Sequence, residues 1–170
     1  MGKIVLTPFQ KRVLEELKSY YGATKKIPSF VLVGVAGTGK TTIAKLIGRK
    51  LKRKGLIDKV LYAHYPEEAR EILQTLKEEK DTYRFFVIVD EVRRELLTQT
   101  DISNLERLMV YLYENDIPFI LVMNENLLKS DISDIFSTPF KTKVMEKAKV
   151  IEADREENPR LERIKERWKH

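Results

Sequence analysis

Cysteine is absent from this 170-residue sequence, which rules out disulfides and thiolate metal sites and accords with a reducing interior. Histidine is almost absent: only His64 and His170 occur, no cluster of ligand types surrounds either, and an imidazole zinc centre is not expected. No apolar run approaches the roughly 20 residues of a bilayer-spanning helix. The opening Met1-Gly2-Lys3-Ile4-Val5-Leu6-Thr7-Pro8 has too short an apolar core for a signal peptide. A cytoplasmic location with no membrane partner is the resulting expectation. Internal repeats, low-complexity tracts and a domain boundary are also missing. One domain over residues 1–170 is therefore expected: an N-terminal helix and linker (1–28), a core (29–154) and a C-terminal helix (155–170).

Hydrophobic residues make up 42% of the chain and charged ones 34%, the balance of a folded domain with a proper core. The formal net charge is +6, which favours a polyanionic partner such as DNA. A surface rich in Lys, Arg and Glu also suits the ion-pair networks of a thermophile's protein, so charge alone leaves both accounts standing. The densest basic cluster is Arg49-Lys50-Leu51-Lys52-Arg53-Lys54. It fits cations at the negative end of a helix dipole or a nucleic-acid contact.

The most informative stretch is Val31-Leu32-Val33-Gly34-Val35-Ala36-Gly37-Thr38-Gly39-Lys40-Thr41-Thr42. A β-branched apolar run breaks into glycines where a helical sequence, Ile43-Ala44-Lys45-Leu46-Ile47-Gly48, takes over. Gly34, Gly39, Lys40 and Thr41 satisfy G-x-x-x-x-G-K-[ST], the phosphate-binding P-loop, in the strand-loop-helix context the motif requires. A triphosphate is held closely only if successive backbone N–H groups curl around it. Gly37 and Gly39 supply the dihedrals and the missing Cβ for that approach. The helix that follows points its positive end at the phosphates, Lys40 reaches their oxygens and the Thr41 hydroxyl is placed to ligate Mg²⁺.

Around this stretch the chain alternates helices and strands. Thr7-Pro8 caps a helix predicted to end near Gly22, strands are expected over 29–34 and 59–65, and the helix between them closes at Gly55. A helix over 66–79 leads to Tyr83-Arg84-Phe85-Phe86-Val87-Ile88-Val89-Asp90-Glu91, an apolar run without polar alternation, as in a strand covered on both faces. Residues 92–113 read as a long helical region with a break around 98–101. A fourth strand, 118–123, delivers Asn124, helical turns fill 127–147, a fifth strand covers 148–153, and Arg160 to His170 forms a charged helix. The pattern argues for a three-layer α/β fold with a five-stranded parallel sheet.

Parallel sheets of this kind bind ligands at the carboxyl ends of their strands. Asp90 and Glu91, at such an end, are what a P-loop enzyme needs opposite its phosphates. Asp90 can hold Mg²⁺ or a metal-bound water, and Glu91 can deprotonate the water that attacks the γ-phosphate.

Gly34 to Thr41, the Val87-Ile88-Val89-Asp90-Glu91 strand end and Asn124 together resemble the Walker A, Walker B and sensor-1 elements of AAA+ class P-loop ATPases. The element order is similar from roughly Ser29 to Ala153. The resemblance implies an ATPase with ATP and Mg²⁺ as cofactors. Nucleotide contacts fall to Gly34, Val35, Ala36, Gly37, Thr38, Gly39, Lys40, Thr41 and Thr42, metal contacts to Thr41 and Asp90, and catalytic roles to Lys40, Glu91 and Asn124. With only a linker and one helix after the fifth strand, the chain is similar to the lidless DnaC and IstB helicase-loader type, and more distantly to the DnaA and Orc initiators. That implies a homo-oligomer or partner ATPase, and DNA or a replication protein as target. In those families an arginine finger lies where this sequence has Ser137 to Glu146, with Lys141 and Lys143 instead. Arg93, Arg94, Arg155 and Arg160 are the candidate replacements, and Phe9 and Gln10 stand where related ATPases contact adenine, with a helix cap and a core phenylalanine as the alternative reading of these two. A nucleoside or small-molecule kinase and a nucleotide-gated switch with little turnover are the alternative functions.

Overall fold

The computed structural model describes residues 5–129 and 135–154. In chain order these form α1 (Pro8–Thr24), β1 (Ser29–Val33), α2 (Lys40–Arg53), β2 (Lys59–Ala63), α3 (Ala69–Glu79), β3 (Phe85–Val92), α4 (Gln99–Glu114), β4 (Phe119–Met123), α5 (Thr138–Lys147) and β5 (Ala148–Glu152). Short 3₁₀ turns at Pro66–Glu68 and Arg94–Leu96 precede α3 and α4. The strands make one sheet in the order β2-β3-β4-β1-β5, and every pairing is parallel. All five carboxyl ends therefore lie along one edge of the sheet.

The apolar runs of β1, β3 and β4 are continuous because each strand is covered twice. Val31 and Val33, Phe85, Val87 and Val89, and Phe119, Leu121 and Met123 face one core with α3, α4 and α5. Phe30 and Leu32, Phe86 and Ile88, and Ile120 and Val122 face a second core with α1 and α2. The strict alternation follows from the two-residue period of a strand. Removing a fully buried ring such as Phe86, by Phe86→Ala, costs roughly 3–5 kcal/mol because the cavity relaxes only in part.

The helix ends obey local chemistry. Thr7 caps α1 in a reciprocal capping box with Gln10, and Thr98 does the same for α4 with Asp101. The latter box is the break expected near 98–101. Most boundaries shift by one to three residues from the sequence reading, and two differences go further. α5 starts at Thr138, capped by the Ser137 side chain, and not at residue 127. β3 runs through both acids to Val92, and its pairing with β4 is interrupted between Val89 and Val92. The terminal helix expected over 160–170 lies outside the described residues, as do Arg155 and Arg160.

Candidate functional site

The order of the sheet explains why distant motifs meet. β4 lies between β1 and β3, so the loop after β1, the acids of β3 and the residue after β4 emerge side by side. One cleft of about 510 Å³ is lined by Ala36, Gly37, Gly39, Lys40, Thr41, Thr42, Asp90, Glu91, Arg93, Val122 and Asn124. Gly37 and Gly39 have φ of 86° and 85°, the left-handed conformation that glycine adopts without strain. A Cβ on Gly34 would stand 2.9 Å from that of Ala153, so this residue lets the loop pass close to the segment after β5.

Lys40 begins α2 and folds back under the loop. Its Nζ donates to the carbonyl of Gly34, to that of Val35 at 2.9 Å and to Thr38 Oγ1 at 3.4 Å. The residue is only 6% exposed. Burial, opposed by the nearby Asp90 carboxylate, lowers its ammonium to about 8.

Asp90 is the hub of the site. Its side chain is buried and accepts from Thr41 Oγ1 at 2.8 Å and from the Tyr62 hydroxyl on Oδ2, and from the Glu91 amide at 2.8 Å on Oδ1. A buried carboxylate needs such partners, and here they also aim it at the first turn of α2. Burial, then the hydrogen bond to Asp90, raise the Tyr62 hydroxyl above its ordinary pKa, so Tyr62 remains a donor. Thr41 and Asp90 together present hard oxygen ligands, the donor set that suits Mg²⁺.

Glu91 sits at the interruption in β3 with φ of 52°, a conformation uncommon outside glycine. Its carboxylate Oε2 lies 2.5 Å from Arg93 Nε. Arg94 turns away to Glu125 at 3.6 Å. Asn124 lines the same cleft between the P-loop and the acids.

Several expectations of the sequence are redistributed. Phe9 is fully buried in the α1/α2 core, and Gln10 is spent on the Thr7 cap and on a hydrogen bond from Nε2 to the Gly39 carbonyl at 3.1 Å. These two residues therefore brace the P-loop from behind and are not free to contact a base. Lys141 is buried in α5, and Lys143 lies 5.8 Å from the Tyr113 ring. Tyr62 escaped the sequence reading altogether. Only the pairing of β2 with β3, which sets Tyr62 opposite Ile88, brings it to Asp90.

The fold is shared with solved replication proteins. The AMPPCP-bound DnaA from Aquifex aeolicus matches with a TM-score of 0.63 at 16% identity, over 98% of this chain and 53% of that one. The DnaC helicase loader matches with a TM-score of 0.64 at 18% identity, over 91% of this chain and 93% of that one. For DnaI the values are 0.64 and 17%, over 88% and 87%. The chain thus spans about half the length of the DnaA structure and most of the DnaC and DnaI structures. No family model and no curated protein matches the sequence. At these identities the likeness establishes the fold alone, a five-stranded parallel sheet with flanking helices.

Proposed function

We propose that this chain is a Mg²⁺-dependent ATPase that cleaves the β–γ phosphoanhydride of ATP and acts on DNA or on a replication nucleoprotein assembly. The observation that carries the reading is the 2.8 Å hydrogen bond between Thr41 and Asp90, which joins the P-loop helix to the acidic end of β3. The fold it shares with the DnaC helicase loader and AMPPCP-bound DnaA supports the replication setting.

Within this reading the loop from Gly34 to Thr42 wraps the triphosphate with backbone N–H groups, and Lys40 exchanges its carbonyl partners for phosphate oxygens. Thr41 and Asp90 would hold Mg²⁺, which neutralises charge on the β- and γ-phosphates when bound. Glu91 takes a proton from the attacking water, and Asn124 orients that water from the end of β4. Tyr62 keeps the Asp90 carboxylate turned toward Thr41.

Hydrolysis assayed with Mg²⁺ and with excess EDTA, each with and without single- and double-stranded DNA, tests the reading. Mg²⁺-dependent phosphate release that DNA accelerates supports it. Nucleotide binding without release under any condition favours the second reading, a nucleotide-gated switch, for which the pairing of Glu91 with Arg93 speaks directly. A glutamate held by a guanidinium is a poor base until that pairing is broken.

A further inference from the structure

We infer that Arg93 is a γ-phosphate ligand supplied in cis, and that it exchanges Glu91 for the γ-phosphate when ATP enters the cleft. The inference rests on the ATPase reading and deepens it by naming what distinguishes ATP from ADP.

Arg93 follows the bulged end of β3 in an extended conformation, with φ of −124° and ψ of 141°. This geometry returns its side chain to the cleft that Lys40, Thr41 and Asp90 line. Arg94, next in the chain, points to Glu125 instead. Arg93 also lies near enough to Lys40 to lower its proton affinity, behind burial and against the opposing pull of Asp90. Two cations of the same chain, Lys40 and Arg93, therefore converge on one cleft and balance the two carboxylates, Asp90 and Glu91, that line it with them. A terminal phosphate, with up to two negative charges, brings anionic oxygens that both cations can meet.

The contact with Glu91 is suited to exchange. Arg93 Nε is buried, and although Glu91 Oε2 lies 2.5 Å away, no acceptor meets that N–H in hydrogen-bonding geometry. A phosphate oxygen would satisfy it, and the guanidinium fork matches a phosphate in two bonds where an ammonium makes a point contact. Glu91 is already in a strained backbone conformation and loses its counter-charge when Arg93 leaves. The base is thereby released only when a γ-phosphate is present to be attacked. The described α5 holds no arginine, and its three lysines are Lys141, which is buried, Lys143, which lies near Tyr113, and Lys147, which pairs with Asp116.

The test measures affinities of the full chain for AMPPCP and for ADP, both with Mg²⁺, in wild type, Arg93→Gln, Arg93→Lys, Glu91→Gln and the Glu91→Gln/Arg93→Gln double variant. Arg93→Gln is expected to weaken AMPPCP about tenfold to a hundredfold, the range of a charge-assisted hydrogen bond, and to leave ADP within about twofold. Arg93→Lys falls between, since it keeps the charge and loses the fork. Glu91→Gln removes the competitor for the guanidinium and tightens AMPPCP, a gain that disappears in the double variant. If Arg93→Gln does not fold by circular dichroism, the ratio in Arg93→Lys decides. Equal changes for both nucleotides, or none, overturn the role of Arg93 while leaving the ATPase reading intact. Absence of nucleotide binding in wild type overturns both.

Discussion

The two ends of the sheet carry clefts of nearly the same size and very different chemistry. At the carboxyl ends, about 510 Å³ is enclosed by the P-loop, Asp90, Glu91 and Asn124. At the amino ends, about 500 Å³ is lined by Tyr20, Tyr21, Lys25, Lys26, Tyr113 and Lys147 among others. Lysines at the amino end lie over tyrosine rings, Lys25 at 5.6 Å from Tyr21 and Lys147 at 5.3 Å from Tyr113. Each ion pair there is private and exposed, as in Arg84 with Asp58 and Lys149 with Glu16. At the carboxyl end one carboxylate oxygen serves both Thr41 and Tyr62, and the lysine that completes the site is buried. Volume does not separate the two regions. Burial does, because removing one partner of the buried Asp90 leaves groups that water cannot reach, whereas the groups around Asp58 are open to solvent.

Breaking the carboxyl end at its base has the largest expected effect. Glu91→Gln should lower turnover by about 10²- to 10⁴-fold, the usual worth of a general base, with nucleotide binding retained. Steady-state phosphate release beside equilibrium titration checks it, and loss of binding would contradict the assigned role.

Lys40 comes next, through pH. Its folded pKa of about 8 lies below the ordinary lysine value of 10.5, so between these values the unfolded chain holds a proton that the folded chain does not. Stability of the metal-free protein therefore rises with pH through this window, and the burial penalty, about 3 kcal/mol by linkage, is present in full only below it. Lys40→Met should remove this rise. Urea unfolding of both proteins at pH 7.5 and 10 measures it, and parallel pH profiles would refute the burial account.

Tyr62→Phe sharpens the contrast further. Deleting one donor to the buried Asp90 should cost about 1.5–3 kcal/mol, the scale of a hydrogen bond to a charged group. Part should appear as a shift in the Mg²⁺ concentration needed for half-maximal turnover. Loss of stability with an unchanged Mg²⁺ response would make Tyr62 a packing residue only.

The smallest effect belongs to the amino end. Hydrogen bonds from Arg84 hold the exposed Asp58 carboxyl below its ordinary value. Its contribution is present above pH 3.8 and lost as pH falls through the depressed value. Asp58→Asn should leave melting unchanged in high salt and abolish only that acid-limb loss. A large effect at neutral pH would erase the distinction between the two ends.

Much of this arrangement was legible in the chain because its causes are local. The glycines before α2, the Thr7 cap of α1 and the doubly buried strands each follow from a few neighbouring residues, whereas at 98–101 the sequence showed a break and not the Thr98 cap. Asp90 and Glu91 were legible as the acids that end a buried strand, whereas their place beside the P-loop is set by the order of the sheet. What stayed hidden depends on partners far away in sequence. The bulge that rotates Glu91 arises from pairing with β4, Tyr62 reaches Asp90 only across the β2–β3 pair, and Gln10 finds Gly39 only because α1 packs beside α2. Phe9 illustrates the ambiguity: the same ring suits a core or a base, and packing decided for the core.

A crystal structure of the chain with AMPPCP and Mn²⁺, the ion located by its anomalous scattering, tests the central claim most directly. The account predicts the ion against Thr41 and Asp90, with the triphosphate over Lys40. Density for both at the amino-end cleft between Tyr21 and Tyr113, or an ion away from Asp90, would contradict it.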